Sequence, residues 1–280
     1  MTLEDLKTKE ILFDSHAHMG FGGYKKNVKE ISDSAQESGV LEIFDIAVDL
    51  KTSVENLSRV KDFPNLKPLV GIDPEVLIPG SEMYLNIPNI DEWLKGEIEK
   101  LENLIIENPN IIAGIGETGI DLHHLKVSKK PEGEIEESKK IQEKLFRKQI
   151  ELAQKYDLFL SIHSRGAEKE CLEILKEYKA HGIFHSFTGS YEVAEEILKT
   201  SNGLGVNGII TFRNADGLRH IYKNIIGEIP ENVTPSFFYR KGIFFETDAP
   251  FLAPEGKRGE VNESANIKVI YESFVNSLKS

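Results

Sequence analysis

The segment Asp14-Ser15-His16-Ala17-His18 closes an apolar run with two imidazoles at alternate positions. In an extended chain alternate side chains share a face, so His16 and His18 can point into one cavity. Imidazole nitrogens placed this way suit zinc and other late first-row metals. A His-x-His pair alone is a weak signal in a chain with 8 His, and its place at a strand end is what makes it informative. Glu117 follows the glycine-flanked run 111–116, where each carboxylate oxygen can take a different cation; taken alone it reads as a loop residue in a turn. His163 and His185 each stand at or near the end of a hydrophobic run, a usual place for a hydrogen-bonded core histidine. Asp248 follows the run 243–247 and precedes Pro250, where it can bind metal, accept a proton or cap a turn. Asp121 reads as a turn residue or as support behind the ligands. Glu246 sits deeper on the Asp248 face and reads as structural.

Such residues need a scaffold that gathers several strand ends. Apolar, β-rich runs fall at 11–15, 41–48, 66–72, 111–116, 158–163, 182–187, 203–207 and 243–247. Segments of helical period lie between them, among them 138–156, 167–178 and 191–199, and a last one at 265–278 closes the chain. The segment 91–106 reads as an outer helix, with Trp93 facing the core or a rim. Strands alternating with helices imply a parallel sheet with right-handed crossovers, and eight such pairs have the size of a (β/α)8 barrel. The expectation is therefore one α/β domain over 1–280, a single (β/α)8 TIM barrel, with an open doubly wound sheet as the structural alternative. Barrel active sites lie at the C-terminal ends of the strands. His16, His18, Glu117, His163, His185 and Asp248 all fall there, on strands one, four, five, six and eight. Four imidazoles and two carboxylates exceed one tetrahedral zinc and fit two divalent cations sharing Glu117. The stretches 74–88, 123–137 and 227–240 exceed the usual connection length. The first two are expected on the functional rim and the third on the opposite side.

Charge narrows the function. The 280 residues carry 34 Lys+Arg and 46 Asp+Glu, a net charge of −12. That excludes a coat for nucleic acid or an anionic membrane, since both need excess Lys and Arg. It leaves room for an enzyme that takes a polyanion at one local site. The single Cys171 excludes an internal disulfide and a Cys-based zinc cluster, and its helical setting reads as packing. No run approaches the ~18 apolar residues of a membrane span. Residues 1–10 lack the apolar stretch of a signal peptide. A cytoplasmic monomer is expected.

In order along the chain, FDSHAHMG (13–20), GIGETGID (114–121), SIHSRGA (161–167), FHSFTGS (184–190), ETDAPFLAP (246–254) and GKR (256–258) resemble the TatD family of metal-dependent hydrolases and deoxyribonucleases. The resemblance spans nearly the whole chain. It implies an amidohydrolase-type (β/α)8 barrel with one or two divalent ions. On that likeness, His16, His18, Glu117 and Asp248 would hold one metal, and Glu117, His163 and His185 the other. Two departures stand out. Family members typically carry His before the proline where this chain has Asp73-Pro74, which removes one active-site contact and bears on the substrate. Gly259 stands where the family's Gly-Lys-Arg is often followed by Asn.

The chemistry expected of this set is hydrolysis. Two cations roughly 3.5–4 Å apart polarise a phosphoryl oxygen and activate a water. Asp248 is the candidate to orient or deprotonate that water, so catalytic roles fall on Asp248 and Glu117. Arg165, Lys257 and Arg258 are candidates to hold substrate phosphates, Arg through its fork and Lys as a point charge. Lys257 and Arg258 also read as a solvated loop, and Arg165 as a partner for a carboxylate on the next helix. The expected activity is cleavage of phosphodiester bonds in DNA, exonucleolytic action being one form, with zinc, manganese, magnesium or iron. The same two-metal site also serves a small-molecule or aminoacyl-tRNA ester or amide hydrolase, and a catalytically inactive barrel would be a binding protein. His123 and His124 read as solvated loop residues, and His181 and His220 carry no assigned function.

Overall fold

Each apolar run becomes a strand, and each strand pairs in parallel with the next. The computed structural model describes every residue except 23, 25, 26, 82–86, 88, 128 and 280. Its strands are β1 (Leu12–Ala17), β2 (Val40–Asp45), β3 (Leu66–Val70), β4 (Gly114–Gly119), β5 (Phe159–His163), β6 (Gly182–Phe184), β7 (Gly203–Val206) and β8 (Ile243–Phe245), neighbours in chain order. A parallel bridge between Ala17 and Ala249 brings the last edge back to the first. The expected (β/α)8 barrel is what forms. Helices between the strands bury one stripe each. In Glu132–Tyr156, for example, Ile141, Leu145, Phe146, Ile150, Leu152 and Ala153 recur at three- and four-residue spacing and are buried. No described helix is long and apolar enough to cross a membrane.

Hydrocarbon fills the barrel below its mouth. The rings of Phe44 on β2 and Phe159 on β5 lie 5.7 Å apart between centroids. These strands are not neighbours, so the contact crosses the interior. Phe13 on β1 joins it, 5.5 Å from Phe44 and 6.4 Å from Phe244 on β8. Phe13 and Phe159 precede His16 and His163 on their strands, so an aromatic plug lies under the polar strand ends.

Element boundaries differ from the apolar runs for a physical reason. β1 and β4 continue to Ala17 and Gly119, pairing with Asp45 and His163. Backbone pairing thus runs past the point where the side chains turn polar. The stretch 123–137, expected as a loop, is largely helical: Leu122–Val127 is a short helix, and the next begins at Glu132 rather than 138. Glu132 and Glu134 complement the positive end of that helix, yet are too polar to show an apolar period. Within 74–88, Pro74–Leu77 forms a short 3-10 helix at the mouth, while 82–86 and 88 lie outside the described residues. The stretch 227–240 contains a helix, Pro235–Arg240, bonded through Ser236 and Arg240 to Glu10 ahead of β1. That is the end away from the mouth, as expected.

Phe238 on that helix is fully buried, with its ring 5.3 Å from Phe274 and 5.7 Å from Phe245. Phe238→Ala is expected to lower the unfolding free energy by about 3–5 kcal/mol. The measurement is the urea midpoint, which should fall with an unchanged m-value.

Candidate metal centre

Barrel closure places the first set of donors. His18 N donates to Ala249 O at 2.7 Å, and Asp248 N donates to His16 O at 2.8 Å, so the β1–β8 seam itself sets Asp248 beside both imidazoles. Behind the seam, buried Asp14 accepts from the backbone N of Thr247 at 2.9 Å and from its hydroxyl. Burial pushes the Asp14 carboxyl up to about 6, with the Thr247 bonds opposing the rise. On β4, Gly119 adopts φ +137, and a Cβ there would sit 1.9 Å from the His163 carbonyl oxygen. Glycine therefore allows β4 and β5 the close approach that sets Glu117 against His163.

Hydrogen bonds behind each ring decide which nitrogen faces the mouth. His18 Nδ1 lies 3.1 Å from Ile46 O, a carbonyl that only accepts, so Nδ1 carries the hydrogen and Nε2 is left for a proton or a cation. His16 Nδ1 lies 2.8 Å from Ser161 Oγ. The two Nε2 atoms are then 3.2 Å apart. Glu117 Oε2 stands 3.6 Å from the His18 nitrogen and 3.8 Å from that of His16, and Asp248 Oδ1 is at 3.5 and 3.8 Å. On the far side, Asp121 Oδ2 holds His163 Nε2 at 2.8 Å. This turns His163 Nδ1 to 2.7 Å from Glu117 Oε1 and 3.2 Å from His185 Nε2, which is itself 2.8 Å from the same oxygen. One carboxylate thus gives each of its oxygens to a different imidazole pair.

The donors fit divalent cations. Ring nitrogens facing one another at 3.2 Å, ringed by carboxylate oxygens, suit a cation or a shared hydrogen between them. His16–His18–Glu117, His16–His185–Asp248 and Glu117–His163–His185 each offer donor atoms within 4.8 Å of one another. Burial opposes charge at His16, His18, Glu117 and His163. Burial and the neighbouring His185 depress His16. Against burial, the His185 and His163 rings hold Glu117 well below the usual carboxylate range. Against burial too, Asp248 and Glu117 lift His18 to about 9, and Asp121 and Glu117 lift His163. Protons and cations therefore compete for the ring nitrogens of His18 and His163.

The six strand-end residues come together at one mouth. Five of them line a cavity of about 520 Å³, and His16 lies fully buried beneath it. Arg165 lines the rim after β5, exposed. Lys257 and Arg258 do not line this cavity. Lys257 Nζ bonds Asn266 Oδ1 at 2.7 Å, and the Arg258 guanidinium lies 4.5 Å from the centre of the Phe212 ring. A charged run shows that a loop is solvated, not where it leads, so the phosphate-holding role expected of these two is not supported by their position. Asp73 lines the cavity, as do Glu75 and His124. His124 is more than the solvated residue its sequence suggests, since its Nδ1 lies 2.8 Å from Asp121 Oδ2 and 3.1 Å from Glu75. The signal was available: His124 stands three residues after Asp121, the spacing of one helical turn. Glu246 is fully buried, and its Oε1 lies 4.0 Å from His185 Nδ1. Cys171 is buried, and Trp93 packs against the smaller apolar cluster.

Asp121 acts on the cluster through His163. Asp121→Ala is expected to weaken metal binding by about 10–100-fold, with Asp121→Asn intermediate because its amide oxygen still accepts. Calorimetric titration of the chelator-treated protein with zinc or manganese measures both.

The sequence profile of the family described as TatD related DNase matches residues 13–279. The metal-dependent hydrolase YabD of Bacillus subtilis is 32% identical over 267 residues, covering 94% of this chain and 90% of YabD. YcfH of Escherichia coli K12, also named a metal-dependent hydrolase, is 26% identical over 264 residues, covering 93% and 86%. Among solved structures, the Escherichia coli TatD homologue YJJV superposes with a TM-score of 0.75 over 95% of this chain and 90% of its own, at 22% identity, which is a likeness of fold. A profile matched from the first strand to the last helix, on a barrel with buried donors at its strand ends, leads to one assignment: the chain belongs to the TatD family of metal-dependent hydrolases.

Proposed function

We propose that this chain is a two-metal phosphodiesterase that removes nucleotides from the end of a DNA strand. The observation that carries the reading is the divided carboxylate of Glu117, with Oε2 toward His16 and His18 and Oε1 toward His163 and His185. His16, His18, Glu117 and Asp248 would hold one ion, and Glu117, His163 and His185 the other. Zinc, manganese, magnesium and iron all accept such donors. When bound, the ions would supply Lewis acidity to the phosphoryl and leaving oxygens and make water a better nucleophile.

The remaining work belongs to the side chains. Asp248 reaches the cavity with its side chain 14% exposed, where it orients the attacking water and takes its proton. Glu117 keeps the two halves of the site in register. Ser161 and Asp121 fix the rings of His16 and His163. Arg165 offers its fork to a non-bridging phosphate oxygen. A cavity of about 520 Å³ has the scale of a small-ligand site, which favours a strand end over a duplex. The family's description as a DNase supports the same substrate.

One observation favours a second reading, hydrolysis of a carboxylic ester or amide such as an aminoacyl-tRNA. Asp73, Glu75, Glu117, Glu168 and Asp248 line the cavity against Arg165, so its carboxylates offset part of the charge that two divalent ions would bring. A neutral acyl group suits such a cavity.

The metal-loaded protein is expected to shorten single-stranded DNA, and a chelator to stop it. His163→Ala and Asp248→Ala should each lower kcat/KM by about a hundredfold or more. Undiminished cleavage by the folded double variant would sink the mechanism. Run beside a model phosphodiester and a panel of esters, the same assay decides for the second reading if the esters alone turn over.

A further inference from the structure

Carboxylates at the mouth offset part of the charge that would attract a phosphate, which leaves a role for a second source of affinity. The mouth is aromatic on one side. Phe251 is 47% exposed, the one aromatic ring among the exposed large hydrophobic side chains of the described residues. It lines the cavity together with Phe21 and Leu252. Phe21 and Phe251 pack edge to face, with centroids 5.7 Å apart and planes at 75°. The His18 ring touches both, at 5.0 Å from Phe21 and 6.3 Å from Phe251.

The backbone ties each ring to a candidate metal ligand. Phe21 N donates to His18 O at 3.2 Å, and Phe251 N donates to Asp248 O at 2.8 Å. Both aromatics thus stand three residues beyond a ligand, in turns that set their distance from the donor cluster. β1 and β8 are neighbours in the barrel and lie across it from β4 and β5. The aromatic lip therefore faces the wall that carries Arg165, Asp121 and Glu168. A ligand spanning the mouth meets the Phe21–Phe251 rings at one end and Arg165 at the other.

We propose that Phe251, backed by Phe21, is a stacking platform for the base of the nucleotide whose phosphate lies at the donor cluster. The substrate class rests on the phosphodiesterase reading. Every base has a π-face, so the platform accepts any of them, and stacking supplies affinity that does not depend on long tracts of basic residues.

The test compares two ligands that share the deoxyribose phosphate and differ at C1′, where one carries thymine and the other a hydroxyl. The metal-loaded protein is titrated calorimetrically with thymidine 5′-monophosphate and with 2-deoxyribose 5-phosphate. The nucleotide is expected to bind about tenfold tighter. Phe251→Ala should cut that preference to about twofold or less while leaving the sugar phosphate unchanged, and Phe251→Trp should keep or widen it. Equal binding of both ligands to the wild type, or a preference that survives Phe251→Ala, overturns the platform. Neither ligand contains a phosphodiester, so the result stands apart from cleavage. A protein that prefers the nucleotide yet leaves DNA intact keeps the base site and loses the phosphodiesterase reading. One that cleaves DNA without preferring the nucleotide does the reverse.

Discussion

Glu117 is buried, and a buried carboxylate stays charged only where opposite charge surrounds it. Much of the mouth answers to that constraint. Imidazoles must arrive on both sides of the carboxylate, which requires the ends of β1, β4, β5 and β6 to converge. A closed barrel achieves this because its strands share one axis, and here the hydrogen bonds of closure are also those that place ligands. The carbonyl of His16 accepts from Asp248, and the carbonyl of Ala249 accepts from His18. Opening the seam between β1 and β8 would separate the first donor set, so fold stability and site geometry rest on the same few bonds.

Much of the barrel and the donor set was legible in the sequence, because both rest on period. A strand shows its face every second residue, so His16 and His18 announce themselves. A parallel barrel puts its chemistry at one end of every strand, so residues far apart in sequence can be grouped before any contact is known. The apolar core obeys the same logic, and Phe13, Phe44 and Phe159 stand where an apolar run predicts.

What escaped the sequence depends on contacts between elements. For Asp121 the sequence leaves a turn residue and support behind the ligands both open, and only the position of β5 shows that it holds His163. Ser161 and the carbonyl of Ile46 select ring nitrogens, yet neither residue type draws attention. The start of the helix at Glu132 was hidden because residues 132–134 face solvent and show no apolar period. Lys257 and Arg258 show the converse. Their types fit a phosphate, but their loop leads to Asn266 and Phe212 instead.

The net charge of −12 acquires a narrower meaning from this geometry. At long range it repels any polyanion, and salt screens that field beyond about 8 Å at physiological ionic strength. The attractive elements sit within the mouth, as Arg165, the donor cluster and the aromatic lip. A duplex lying across the surface would meet the acidic exterior along its length and gain those attractions at one point. A strand end inserted into the mouth meets them together and leaves most of its charge outside the protein. If the proposed function holds, the acidic surface would act as a filter on shape, favouring a phosphate that enters the mouth over one that lies across the exterior.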